Sequence, residues 1–266
     1  MGRPFHKMHG LGNDFVIVDA RNEPFEATQA LAKAIADRRT GVGCDQLIVL
    51  EPSDTADLKM RIWNSDGGEV ESCGNATRCI VQLTGAKRID SDGGMLEGER
   101  LGAEVEITLP PPRFGWDEIP LAYPMDTAAL PMAWDGLEHP MALNVGNPHL
   151  VFFVPDVREV PLDVLGPRIE NDPAFPERIN VNVATYTDKR LKLRTFERGA
   201  GETLACGTGA CAAAVAAIAA KRAQSPVKVD MSGGSLTISW APGEPIRMRG
   251  GATHVFSGEL DMDALQ

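Results

Sequence analysis

The sequence predicts an α/β protein of the α+β type, made of two pseudo-symmetric halves in which curved sheets enclose helices. Three observations lead there. The chain repeats itself at half its length, short β-branched runs recur between Gly and Pro punctuation, and two helical segments each begin just after a Cys-Gly pair.

The repeat comes first because it fixes architecture. Residues 60–74, MRIWNSDGGEVESCG, align without a gap on residues 193–207, LRTFERGAGETLACG. Arg61 falls on Arg194, Gly68 on Gly201, Glu69 on Glu202, Cys73 on Cys206 and Gly74 on Gly207. Chance would supply about one such match in a window of this length. Gly12-Asn13 before FVIVD matches Gly146-Asn147 before HLVFFV, and Gln46 before LIVL matches Asn180 before VNVA, at almost the same offset. Each half therefore carries an asparagine, an amide residue and a Cys-Gly in one order.

The runs VIVD, LIVL, VEITL, LVFFV, VNVA, VKVD and LTISW read as strands. GNATRCIVQLTG, after Cys73, and GTGACAAAVAAIAAKR, after Cys206, read as helices, the second ending in cations as a helix C-terminus favours. That second segment is apolar on nearly every face, which predicts burial all round inside a strongly curved sheet. Pro110-Pro111-Pro112 and Gly250-Gly251 mark the boundaries, giving one half of residues 1–112 plus 252–266 and another of 113–251, with ATHVFSGEL returning to complete the first.

Composition narrows the function. With 266 residues, 43% of them hydrophobic, the chain can build a sizeable core, and a formal net charge of -11 disfavours nucleic acid and anionic lipid as partners. The longest apolar run, residues 210–220, falls short of a bilayer span, and the N-terminal stretch has no secretion-signal pattern. Five cysteines make an odd count without C-x-x-C or zinc-like spacing, so neither a disulfide framework nor a metal site is expected. A cytoplasmic protein fits all of this.

Cys73 and Cys206 each sit at a helix entrance, where unpaired backbone N–H groups and the helix dipole favour a thiolate and can seat a carboxylate. The symmetry would set both on one interdomain cleft. Opposed thiols suit inversion of a carbon bearing hydrogen: one sulfur removes a proton from one face while the other delivers a proton to the opposite face. Helix amides at Gly74-Asn75 and Gly207-Thr208 could stabilise the developing charge, so no metal or cofactor is required. Taken singly, these residues have plainer readings. Either cysteine could be a packed cap, Asn13, Asn147 and Asn180 turn residues, Arg198 a solvated charge and His149 a structural histidine. Cys44, Cys79 and Cys211 read as core.

The stretches MHGLGNDFVIVD, GVGCDQLIVLEP, ESCGNATRC, NVGNPHLVFF, FPERINVNVA and ERGAGETLACGTGAC closely resemble the diaminopimelate epimerase family, from Met8 to about Phe256. The resemblance implies interconversion of LL- and meso-diaminopimelate in lysine and peptidoglycan precursor biosynthesis, without a cofactor. It also implies a mixed sheet curled around a central helix in each half. Cys73 and Cys206 match the family's acid and base, with His149 and Glu197 modulating their protonation. Asn13, Gln46, Asn64, Asn147, Asn180, Glu197 and Arg198 match substrate contacts, and the backbone of Gly74, Asn75, Gly207 and Thr208 matches the carboxylate seat. Arg198 would fork onto the distal carboxylate, while Asn64, Asn180 and Glu197 accept from the distal ammonium. A homodimer is implied, with Phe256 where the family carries a tyrosine at its subunit contact. Two rivals stay open: a proline or hydroxyproline isomerase, and a redox sensor in which the two thiols form a reversible disulfide.

Overall fold

The computed structural model describes residues 2–71 and 73–265. The chain divides into two compact units, residues 1–107 with 250–266, and residues 108–249. Both are mixed sheets with few helices, the α/β architecture that the sequence predicts.

In the first unit β1 (Gly2–Gly10) and β2 (Asn13–Asp19) pair antiparallel, and helix α1 (Gln29–Ala36) then carries the chain over to β3 (Gln46–Glu51), parallel to β2. Strand β4 (Leu58–Asn64) pairs antiparallel with β3 and with the short β5 (Glu69–Val70). Next comes α2 (Gly74–Thr84), the crossover to β6 (Arg88–Asp90), which lies parallel to β4. A parallel neighbour demands such a crossover, and a helix is the compact way to make it. β7 (Leu96–Leu101) pairs with β6, and β8 (Glu104–Leu109) follows.

The second unit opens with a small hairpin, β9 (Ala133–Trp134) and β10 (Leu137–Glu138), then repeats the same wiring. β11 (Met141–Asn144) pairs antiparallel with β12 (Pro148–Phe153), and helix α3 (Leu162–Glu170) leads to β13 (Asn180–Thr187), parallel to β12. β14 (Arg190–Glu197) is antiparallel to β13 and to β15 (Gly201–Thr203). Helix α4 (Gly207–Ala219) crosses to β16 (Val227–Met231), parallel to β14, and β17 (Gly234–Ser239) and β18 (Ile246–Gly251) complete the run. The last strand, β19 (Thr253–Asp261), pairs antiparallel with β1.

The register repeats too. Trp63 stands opposite Glu69 as Phe196 stands opposite Glu202, and Lys59 opposite Asp90 as Lys192 opposite Asp230. The aligned ion pairs form in both units: the Arg61 guanidinium grips Glu69 at 2.7 and 3.1 Å, and the Arg194 guanidinium grips Glu202 at 2.7 and 2.9 Å.

Helix α4 is buried without interruption from Gly209 to Ala217 and packs on β11 through β14, β16 and β17, so the sheet wraps it. Alanine favours the helix most among the residues and is small enough to be enclosed on every side. The helix stops at Ala219, so Lys221 and Arg222, expected to terminate it, lie just beyond its C-cap. Helix α2 buries Ala76, Cys79, Ile80 and Val81 and packs on β1, β7 and β19. Gly85 ends it in the left-handed conformation, φ 76°, returning its N–H to Val81 O.

Candidate active site

Both units place a cysteine as the N-cap of the enclosed helix, Cys73 for α2 and Cys206 for α4, each in extended backbone. The amides of Gly74, Asn75, Gly207 and Thr208 then fall in the first turn, where no intrahelical acceptor exists.

In the first unit Asn13 starts β2, Gln46 starts β3 and Asn64 ends β4, so the register gathers them at one end of adjacent strands. Gln46 and Asn64 are paired, the Nε2 amide donating to Asn64 Oδ1 at 2.9 Å. Gln46 Oε1 is buried and accepts from no group among the described residues, an acceptor left for a ligand N–H. Asn13 Oδ1 lies 3.8 Å from the Cys73 thiol, which donates to it, and accepts from Asn75 Nδ2 at 3.3 Å. Its other end is fixed, since Asn13 Nδ2 donates to Asp45 Oδ2 at 2.9 Å.

Behind Asn13 stands an ionic cluster that the sequence reading overlooked. Arg38 bridges Asp14 and Asp45 at 2.7 and 2.8 Å, and the buried Lys7 ammonium reaches Asp14 Oδ2 at 2.5 Å and Gly43 O. Burial works against the Asp14 carboxylate, but hydrogen bonds from Arg38 and Lys7 outweigh it and hold its pKa well below the usual range. The signal was present, because Asp14 and Asp45 each adjoin a chosen amide residue, Asn13 and Gln46.

In the second unit Glu197 closes β14, immediately before the hairpin 198–200, where Gly199 and Gly201 adopt φ of 75° and 86°. Only glycine takes such angles without strain, so the ERGAG spacing is a turn requirement that aims Glu197 at the helix entrance. The Cys206 thiol donates to Glu197 Oε2 at 3.1 Å and accepts from Gly209 N at 3.3 Å, with Thr208 Oγ1 at 3.5 Å. Thr203 Oγ1 holds the other carboxylate oxygen at 2.5 Å. Burial, and then the Glu197 charge, push the Cys206 thiol well above its ordinary value. The helix entrance was expected to favour a thiolate here; desolvation outweighs it, and Cys206 stands as a thiol.

Asn147 and His149 flank Pro148 at the start of β12, and the His149 ring is wholly buried. Burial first, and the Arg198 charge second, lower its pKa to about 3, so the imidazole is neutral. Its partners are Asn147 Oδ1 at 2.9 Å and Asn182 Nδ2 at 3.0 Å. Asn180 is 2% exposed, its amide donating to Pro148 O at 2.8 Å and accepting from Arg198 N at 3.0 Å. It ties two neighbouring segments with one hydrogen and one lone pair of its amide. Arg198 is exposed, and its Nη1 donates to Glu177 O at 2.9 Å. Cys44, Cys79 and Cys211 are buried in the core. Among the described residues no three His, Cys, Asp or Glu side chains gather to hold a metal ion, and no helix is long and apolar enough to cross a membrane.

A mixed sheet around a helix, repeated in two units, defines the class by its fold, one found in PhzF proteins, proline racemases and hydroxyproline epimerases. Solved structures share it at low identity. A phenazine biosynthesis protein of the PhzF family from Enterococcus faecalis superposes with a TM-score of 0.71 at 16% identity, covering 98% of this chain and 100% of that one. A hydroxyproline epimerase from Agrobacterium vitis does so at 0.64 and 13% identity, over 97% and 91%. Sequence comparison is more specific. Residues 5–109 and 141–255 match the family described as Diaminopimelate epimerase. Proteins of that name from Rhizorhabdus wittichii and Sphingopyxis alaskensis are 63% and 62% identical over 263 residues, covering 98% of this chain and 96% and 98% of theirs. The chain belongs to the diaminopimelate epimerase family.

Proposed function

We propose that the chain interconverts LL- and meso-2,6-diaminopimelate by proton transfer at the α-carbon between Cys73 and Cys206, with no cofactor. The observation that carries this is the placement of a thiol at the same helix entrance in both repeats of a chain of this family. Cys206, protonated beside Glu197, serves as the acid, and Cys73 serves as the base once it has shed the proton that it offers to Asn13 Oδ1. The base takes the α-proton and becomes a thiol, the acid gives its proton to the opposite face and becomes a thiolate, and the pair exchanges roles for the reverse direction. Amides of Gly74, Asn75, Gly207 and Thr208 receive the α-carboxylate as charge develops on it.

Gln46 Oε1, buried and unsatisfied, suits an ammonium, with Asn64 holding the amide in place. Arg198 suits the distal carboxylate, its backbone anchored by Asn180. A site built for both distal groups discriminates against proline, which has neither. An odd count of five cysteines with no disulfide-framework spacing fits a reducing compartment, so the reaction belongs in the cytoplasm, serving lysine and peptidoglycan precursor synthesis. Val255 and Phe256 on β19, 54% and 46% exposed, suit the contact of a homodimer.

The test is turnover of LL-diaminopimelate in heavy water, stopped early. Two bases place deuterium in the product while recovered substrate stays nearly unlabelled. Equal labelling of both would eliminate the two-base scheme, and faster turnover of proline than of diaminopimelate would eliminate the substrate.

A further inference from the structure

The two units share their strand register but not the side chains at three buried positions within it. In the first, Phe15 stands beside Gln46, and Ile48 opposite Ile62. In the second, His149 stands beside Asn180, and Asn182 opposite Thr195. All six are buried. Three apolar side chains fill this space in one repeat, so packing alone does not call for a polar trio in the other, whose burial is costly unless every group is hydrogen-bonded.

Here every group is bonded, and the bonds fix the protons. Leu150 O can only accept, so the Asn182 atom 2.8 Å from it is the Nδ2 amine, and Oδ1 takes the Thr195 hydroxyl at 2.9 Å. The second Nδ2 hydrogen points at His149 Nδ1, 3.0 Å away, which must therefore be the bare nitrogen. A neutral ring then carries its proton on Nε2 and donates to Asn147 Oδ1 at 2.9 Å. Among the described residues Asn147 Nδ2 has no partner, which leaves it as the open end. Its counterpart Asn13 is held the opposite way, Nδ2 on Asp45 and Oδ1 toward Cys73 and Asn75.

We propose that Asn182, steadied by Thr195, is a positioning residue that fixes His149 as its Nε2–H tautomer and so makes Asn147 a hydrogen-bond donor where Asn13 is an acceptor. The equivalent asparagines of the two repeats thus offer opposite ends of their amides, an asymmetry that a substrate with two different faces can use. The role in turnover rests on the epimerase reading; the tautomer does not. The same trio seats the cysteine's helix, because a Cβ on Gly209 would meet Asn182 Oδ1 and Thr195 Oγ1 at 2.7 Å, and Gly209 N–H is the donor to Cys206 Sγ.

Histidine 15N labelling with long-range proton correlation reads the tautomer directly, His149 being assigned by its loss in His149→Gln. The expected spectrum has Nε2 protonated, Nδ1 bare and no titration between about pH 6 and 9. Asn182→Asp puts an acceptor where a donor stood, which moves the ring proton to Nδ1 and lowers kcat/KM by about a hundredfold. Thr195→Ser keeps the hydroxyl and near-normal kcat/KM, whereas the isosteric Thr195→Val loses about tenfold. A packing role predicts the reverse order for that pair. A protonated Nδ1 in the wild type, an unchanged tautomer in Asn182→Asp, or Val outperforming Ser each overturns the inference. If the wild type turns over no diaminopimelate, the spectra still decide it, and only the proposed substrate falls.

Discussion

The Cys206 thiol points its proton at Glu197 Oε2, 3.1 Å away, while Thr203 Oγ1 occupies the other oxygen of that carboxylate. The thiol's proton is thus held against a carboxylate at a helix entrance that would otherwise favour the thiolate. Removing the carboxylate charge relieves the repulsion a thiolate would feel. In a Cys73→Ala background, Glu197→Gln therefore moves the pH at which thiolate absorbance appears to a lower value. In the otherwise native chain it lowers kcat by about a hundredfold or more. An unmoved midpoint with normal turnover removes Glu197 from the proton path.

The buried core thiols predict an alkaline weakness. Burial pushes Cys44 up to about 11 and Cys79 up to about 12, from an ordinary value near 9. Above that ordinary value the unfolded chain releases these protons while the folded chain keeps them. Stability is then lost as pH rises toward the folded values, at about 1.4 kcal/mol per pH unit for each thiol. Urea unfolding at about pH 8 and about pH 10.5 should show the wild type losing about 2 kcal/mol more than Cys79→Ala across that interval. Parallel losses in the two proteins would contradict the assignment.

Gly209→Ala reverses the usual helix rule. An alanine in a helix ordinarily gains about 1 kcal/mol over glycine. Here the added methyl collides with two buried, hydrogen-bonded oxygens at 2.7 Å and crowds Cys206 Cβ at 3.2 Å. A net loss of about 1 to 3 kcal/mol is expected, together with reduced turnover. A raised melting temperature would show that the helix entrance has slack.

The repeated arginines are equal in geometry but not in worth. Arg61 pairs with Glu69 and lies over Trp63, partly in solvent. Arg194 pairs with Glu202 and also donates to Val157 O and Val160 O at 2.7 and 2.8 Å. Arg61→Leu should cost about 1 kcal/mol or less, and Arg194→Leu about 2 to 3 kcal/mol, because two carbonyls then lose their donor. Chemical denaturation of the two variants compares them directly.

Much of this was legible in the residues themselves. The gapless match around Cys73 and Cys206 announced the duplication, and the register of Trp63 with Glu69 and Phe196 with Glu202 follows it residue for residue. The helices after each Cys-Gly were legible because a capping position and a compact apolar run are local signals. Strands β4 and β14 were not read as strands, since their lysines and arginines, Lys59, Arg61, Lys192 and Arg194, break the apolar run; alternation hides in a half-exposed strand. Lys7, Asp14, Arg38 and Asp45 went unnoticed because their pairing joins four distant segments. The direction of the Cys206 shift was also out of reach, for it depends on how deeply the sulfur is enclosed.

Alanine fills α4 from Ala212 to Ala214 and again at Ala216 and Ala217, with Val215 the one larger side chain in that span, and every one of them is sealed from solvent. A rod sheathed almost wholly in single methyls lets the strands around it close in tightly. Such a fit leaves the rod no room to twist or slide, so the sulfur at its tip is registered against the surrounding strands the way a key's bit is registered by its shank.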